Sequence, residues 1–221
     1  MDLAKFIWLL REKKLFLSRL DKLSDQYEGS LTIRTILGIS TFLKNHRSKT
    51  GWDELSKMYR QNRGTTFVCC WHANEHESEA MWRLYGRTGN GIAIQSTYQD
   101  LVHAISSEDD VYLGCVKYID YEQDWFPSAN IFYPVMHKRL AFSHEREVRL
   151  VSLRSAYQSL PEHEIPESIS IPWDLDRIKG VYVDPYAPKY FFEAVTTVIQ
   201  SMAPSLCSRV TWSSINAAPV F

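Results

Sequence analysis

Apolar positions recur along the chain at two spacings, and the switch between them outlines the elements. Leu3, Phe6, Ile7 and Leu10 follow the i, i+3, i+4, i+7 rule, which predicts a helix over 2–14 with Asp2 as its cap. Residues 15–19 read as a short strand, and an acidic, turn-like stretch follows from Asp21 to Gly29. Residues 30–63 carry helical spacing (Ile33, Ile36, Leu37; then Trp52, Leu55, Tyr59), broken near 45–51. Strands are expected at 66–71, 91–97, 111–119, 147–153, 169–171, 180–184 and 209–213, and helices at 77–85, 98–105, 135–141 and 189–202. The turn Thr88-Gly89-Asn90-Gly91 separates the 77–85 helix from the strand after it.

About eight short strands interleaved with helices, with no repeat and no Gly/Ser linker, predict an α+β fold. The expectation is one domain spanning 1–221, with a mixed, mostly antiparallel sheet core and a helical insertion at about 30–64. That insertion is locally basic: Arg34, Lys44, Arg47, Lys49, Lys57, Arg60 and Arg63 face only Asp53 and Glu54.

Composition narrows the function. Lys+Arg is 25 and Asp+Glu 26 over 221 residues, so the net charge of -1 excludes a bulk-basic nucleic-acid binder and an acidic disordered tail. Cys69 and Cys70 are vicinal, fall on opposite faces of a strand and belong to no CxxC pair; with Cys115 and Cys207 they read as free thiols of a reducing compartment. No apolar run approaches the roughly 18 residues that span a bilayer, and the charged N-terminus does not resemble a signal peptide. A cytoplasmic protein without a membrane partner is expected. The aromatic content of 13% is high, and aromatics both fill cores and stack on flat ligands.

Three polar stretches could carry chemistry. In Asp21–Gly29, the acids Asp21, Asp25 and Glu28 read most simply as a solvated turn with capping acids. In Cys69–Tyr85, His72 ends a strand just before a helix, a place suited to a polar or anionic ligand. His72 and His76 are four apart, but HExxH is absent and no metal site is assigned. In Lys138–Arg149, alternation on one strand would put Glu145, Glu147 and Arg149 on one face and Arg146 on the other. Such a face is either solvated or lines a site, because unpaired buried ions cost several kcal/mol. Glu147, Glu145 and His72 are the candidate catalytic residues. Trp71, Asn74, Glu77, Trp82, Tyr85, Lys138, Arg139, His144 and Arg149 are the candidate substrate-binding residues, and Phe142 flanks the same charged motif.

The phrases DKLSDQYEGS (21–30), CWHANEHESEAMWRLY (70–85), GIAIQST (91–97), VKYIDY (116–121) and KRLAFSHEREVR (138–149) resemble the bacterial domain-of-unknown-function family 2971 over nearly the whole chain. The resemblance implies a small bacterial cytosolic protein, in a setting of phage or mobile-element defence. Two departures stand out. Gln26 follows Asp25 where the family usually has Pro, and the short strand that precedes this Met-Asp-Leu in other members is missing.

In layout the chain also resembles ADP-ribosyltransferases, with a polar strand end plus helix at Cys70–Tyr85 and a Glu-x-Glu strand opening at Glu145-Arg146-Glu147. That resemblance implies NAD as substrate, Glu147 as the acid that meets the ribose 2′-hydroxyl, and Trp71, Trp82 or Tyr85 beside the nicotinamide. Two alternatives stay open. One is a metal-dependent nuclease, with Mg²⁺ held by Asp21, Asp25, Glu28 or Glu75 together with Glu145 and Glu147, and with the basic insertion on phosphates. The other is a non-catalytic module that recognises a small molecule, a nucleotide or a partner chain. The sequence leaves the oligomeric state open.

Overall fold

The computed structural model describes residues 1–45, 51–86, 89–105 and 110–217. Arg47, Lys49 and Thr88, and most of the break expected at 45–51, lie outside the described residues.

The chain opens with α1 (Leu3–Glu12), capped by the Asp2 carboxylate on the Lys5 N–H, and β1 (Lys14–Arg19). Two helices, α2 (Ile33–Asn45) and α3 (Trp52–Gly64), precede β2 (Thr66–His72). Next come α4 (Glu79–Tyr85), β3 (Ile92–Gln95), α5 (Tyr98–Ile105), β4 (Val111–Cys115) and β5 (Lys117–Ile119). The short α6 (Phe132–Met136) runs into β6 (His137–Arg139), and β7 spans Glu147–Leu153. The chain ends with β8 (Ser168–Pro172), β9 (Gly180–Val183), α7 (Lys189–Met202) and β10 (Val210–Trp212). The α+β class and the mostly antiparallel main sheet are as expected from the sequence.

The chain forms two compact units: residues 1–16, 74–108 and 170–221, and residues 17–73 and 109–169. In the first, β10, β9 and β3 make a three-stranded sheet with β9 central, parallel to β10 and antiparallel to β3. Its core is apolar on both sides of the helix–sheet contact: Phe191, Val195 and Ile199 of α7, Phe6, Leu9 and Leu10 of α1, and Ile92, Val181 and Val183 of the sheet are buried. The i, i+4, i+8 spacing of the α7 residues gives one stripe, and that stripe is the face that leaves water.

The second unit holds most of a sheet ordered β4-β7-β2-β1-β8. β7 is central. It pairs antiparallel with β2 from Thr66 opposite Leu153 to His72 opposite Glu147, and with β4 along its other side. Strand alternation puts Glu147, Arg149 and Val151 on one face, beside Cys70 and Val68. Leu20, Val68, Val135 and Val151 form an apolar cluster there, packed by Leu23, Phe132, Met136 and Leu153. At Gly114 an added Cβ would come within 2.9 Å of Met136 Cε, so a residue without a side chain lets α6 lie close to β4.

Three expectations need correction. The strand expected over 111–119 is two strands divided at Val116, whose N–H turns to the Glu147 carbonyl, and β5 pairs instead with β6. The helix expected at 135–141 stops at Met136. Parallel pairing of β6 with β5 claims residues 137–139, and a 3₁₀ turn over Leu140–Glu145 follows. Glu145 and Glu147 are therefore not neighbours on one strand. Glu145 ends the 3₁₀ turn, Arg146 takes a left-handed conformation (φ 43°), and β7 starts at Glu147.

Gly29 ends the acidic stretch at φ +74°, and a Cβ there would meet Leu20 Cδ2 at 2.6 Å. Gly29→Ala combines backbone strain with this overlap, and should lower the urea-unfolding free energy by about 1–3 kcal/mol.

Candidate functional site

The acidic stretch 21–29 is not a solvated turn throughout. The Asp25 side chain accepts from the Tyr27 N–H (3.1 Å) and the Glu28 N–H bonds the Asp25 carbonyl (3.1 Å). This tight turn sends both acids inward, and Asp25 and Glu28 are buried. Asp21 is half-buried, in a two-point pair with the buried Arg19 (2.7 and 3.0 Å).

Glu28 meets the polar end of the β7 face. Arg149 is fully buried at 0% exposure, and every nitrogen of its guanidinium is used. Nη1 and Nη2 fork onto the Glu28 carboxylate (2.8 and 2.9 Å), Nε donates to Glu147 Oε2 (2.6 Å), and Nη1 also reaches the Val135 carbonyl (2.7 Å). A planar fork of this kind matches a carboxylate in a way an ammonium cannot.

Lys138 of β6 completes the cluster. Its ammonium lies 2.7 Å from Glu147 Oε1 and 3.2 Å from Glu28 Oε1, and donates to Glu145 Oε2. A lysine has three N–H donors, and three carboxylates surround this one. The left-handed Arg146 brings Glu145 round to the same ammonium as Glu147. Further supports fix the strand ends. The Glu147 N–H donates to Tyr118 Oη (2.8 Å), and His72 Nδ1 lies 2.6 Å from the Glu145 carbonyl. At the rim, Arg139 forks onto Asp25 (2.7 and 3.2 Å) and lies over the Tyr27 ring at 4.4 Å and near Phe142 at 5.2 Å. Ser24, Asp25, Gln26, Tyr27, Arg139 and Phe142 line an open depression there.

Charge follows from this geometry. Burial alone would raise the Glu147 pKa. The Arg149 charge, with hydrogen bonds from Arg149 and Lys138, instead holds it well below the usual carboxylate range. Burial likewise opposes the Lys138 charge, but hydrogen bonds to Glu145 and Glu147 hold its pKa well above the ordinary lysine value. Glu147 is thus an anion and Lys138 a cation across the physiological range. On the opposite face of the sheet, burial pushes the Cys69 thiol up to about 12, so it stays protonated and unreactive.

The candidate residues divide between the two units. His72, Lys138, Glu145, Glu147 and Arg149 come together in the second unit, and Arg139 stands at their edge. Trp71 is in the same unit, but it precedes His72 on β2 and so lies on the opposite sheet face from Glu147. His144 is exposed on the 3₁₀ turn. Asn74, Glu77, Trp82 and Tyr85 belong to the first unit. There Trp82 is buried and donates its indole N–H to Glu77 (3.0 Å), Glu77 also accepts from the Ser214 N–H (3.2 Å), and Asn74 accepts from the Glu75 N–H (3.1 Å). Tyr85 is exposed on α4. His72 ends a strand and α4 starts only at Glu79, so His72 and His76 do not share a helix face. Among the described residues, no group of three or more His, Cys, Asp or Glu is arranged to hold a metal ion. At the convergence of Glu28, Glu145 and Glu147 stands the Lys138 ammonium.

Asp25 and Glu28, expected as acids of a solvated turn or as Mg²⁺ ligands beside Glu145 and Glu147, are instead buried partners of Arg139, Lys138 and Arg149. The signal was charge balance: Lys138, Arg139 and Arg149 outnumber Glu145 and Glu147, and the acids of 21–29 were available to them. Comparison with protein-family models, curated proteins and solved structures finds no match for this chain.

The cluster, with an exposed ion pair for comparison, gives three stability predictions. Lys138→Met strands three carboxylates around one cation, and should cost about 3–5 kcal/mol in urea unfolding. Lys22→Met breaks only the exposed pair with Glu167 and should cost less than about 1 kcal/mol. In acid, the Glu147 contribution is complete above the ordinary value of 4.5 and is lost as pH falls through its depressed folded value. Stability measured against pH should therefore fall less steeply below that point in Glu147→Gln than in the parent protein.

Proposed function

We propose that the strand ends around Glu147 form an NAD-using site of the ADP-ribosyltransferase type, acting as a transferase or glycohydrolase. The observation that carries the reading is the register of β2 on β7. His72, the polar end of β2, stands opposite Glu147, the first residue of β7, and Glu145 lies two residues ahead of it. This is the order of parts that the resemblance implies: a polar strand end beside a strand opening with Glu-x-Glu.

The charge state suits the chemistry. Breaking the nicotinamide–ribose bond builds positive charge on the ribose, and a fixed anion that accepts from the 2′-hydroxyl stabilises that charge. A carboxylate held ionised by Arg149 and Lys138 can do this but is poorly suited to donate a proton. Arg149 holds Glu147 Oε2, while Oε1 is held by the ammonium of a flexible lysine stem.

The test is release of nicotinamide from NAD, with and without cell extract as a source of acceptors. Release is expected, and Glu147→Gln should reduce it by at least about a hundredfold with an unchanged far-UV circular dichroism spectrum. No release under either condition would reject the reading. A non-catalytic ligand-binding module is the second reading, favoured by one observation: all three carboxylates of the cluster are already paired with cations, while Arg139, Tyr27 and Phe142 line an open depression beside them. It expects ADP-ribose or NAD to bind by calorimetry without turnover.

A further inference from the structure

Strand β4 is paired along one side only. The Val116 N–H donates to the Glu147 carbonyl (2.9 Å) and the Leu153 N–H to the Asp110 carbonyl (3.3 Å), so the even-numbered residues of this stretch turn their backbone groups toward β7. The N–H and C=O groups of Val111, Leu113 and Cys115 therefore point the other way. β4 is the last strand of its sheet, and among the described residues none of these groups has a hydrogen-bond partner. Proteins guard such edges with a charge, a proline or a bulge. β4 has none of these: its sequence is VYLGC, and its register on β7 runs unbroken. Tyr112 is 46% exposed here and packs edge-to-face on Phe132 of α6 (4.7 Å).

The strand is complementary to itself. In antiparallel pairing with a second copy, centred on Leu113, Val111 of each chain stands opposite Cys115 of the other, and Leu113 opposite Leu113. These are the outward positions, so every free N–H faces a free C=O. A shift of the pairing by two residues would leave one outward residue of each β4 without a β4 partner. Charge selects the same orientation. Asp110 precedes the strand and Lys117 follows it, both exposed, so antiparallel pairing brings the acid of one copy to the basic end of the other. Tyr112 then falls opposite Gly114 of the second copy, beside the Met136 side chain that lies over that glycine. A bilayer would leave the backbone groups unpaired in lipid, and no helix among the described residues is long and apolar enough to cross one.

We propose that two copies of the chain associate through β4, joining their five-stranded sheets into one continuous sheet about a two-fold axis at Leu113. The axis of such a pair is normal to the sheet, so both copies carry Glu147 on the same face.

The test is sedimentation velocity of the full chain from about 1 to about 200 µM, with amide exchange followed by NMR at the two ends of that range. A dimer that dissociates on dilution is expected. Exchange should slow with concentration at Val111, Leu113 and Cys115, and stay unchanged at Tyr112 and Gly114, which already bond β7. Leu113→Pro removes only an N–H that faces away from β7, and Tyr112→Lys puts a charge on an exposed edge residue. Each should raise the dimer dissociation constant at least about tenfold with an unchanged circular dichroism spectrum. The proposal is overturned by a chain that stays monomeric throughout, by a dimer in which exchange at the three residues does not depend on concentration, or by a Tyr112→Lys variant that dimerises as tightly as the parent.

Discussion

A buried ammonium shared by three carboxylates is the constraint around which the second unit is organised. Lys138 reaches Glu28, Glu145 and Glu147, and Arg149 ties two of the same acids together from the other side. Each of these ions would be costly to bury alone, and the cost is offset only when all the partners are present in good geometry. The network is therefore close to all-or-none. It joins four separate parts of the chain: the turn after β1, strand β6, the 3₁₀ turn behind it, and the start of β7.

Several local departures from regular structure follow from that requirement. Arg146 adopts a left-handed conformation and Gly29 a positive φ, one beside Glu145 and the other beside Glu28. Both positions turn the backbone where a carboxylate must be aimed inward. The turn at Asp25 does the same by bonding the Tyr27 N–H. The apolar cluster of Leu20, Val68, Val135 and Val151 lies on the same sheet face. Hydrophobic burial thus supplies the driving force, and the ions select which turn and which strand end meet. The same arrangement leaves Glu147 ionised and opposite His72, the feature on which the catalytic proposal depends.

Much of this architecture was legible in the order of residues. Strands β2 and β7 fall where they were expected, β7 buried on both faces, and period-3.6 stripes located α1 and α7, because each of these helices buries one face. Lys138, Glu145, Glu147 and Arg149 were recognisable as a group, since ions concentrated beside strong strand signals need partners. What alternation could not supply was the break between Glu145 and Glu147, because a left-handed residue such as Arg146 leaves no mark when it is not glycine. The burial of Asp25 and Glu28 was equally hidden. An acidic turn has the same composition whether it is solvated or faces a cation more than a hundred residues away, as Glu28 faces Arg149. The end of the 135–141 helix depended on pairing between β5 and β6, which is a tertiary event.

The central claim is that the Lys138 ammonium is buried, charged and bound to three acids. Nitrogen-15 NMR of the lysine side chains tests it most directly. The account predicts one ammonium resonance whose protons exchange slowly enough with water to be seen at neutral pH, and which disappears in Lys138→Met. If every lysine ammonium instead exchanges as fast as one on the surface, Lys138 is solvated and the network is not the organising feature of this unit.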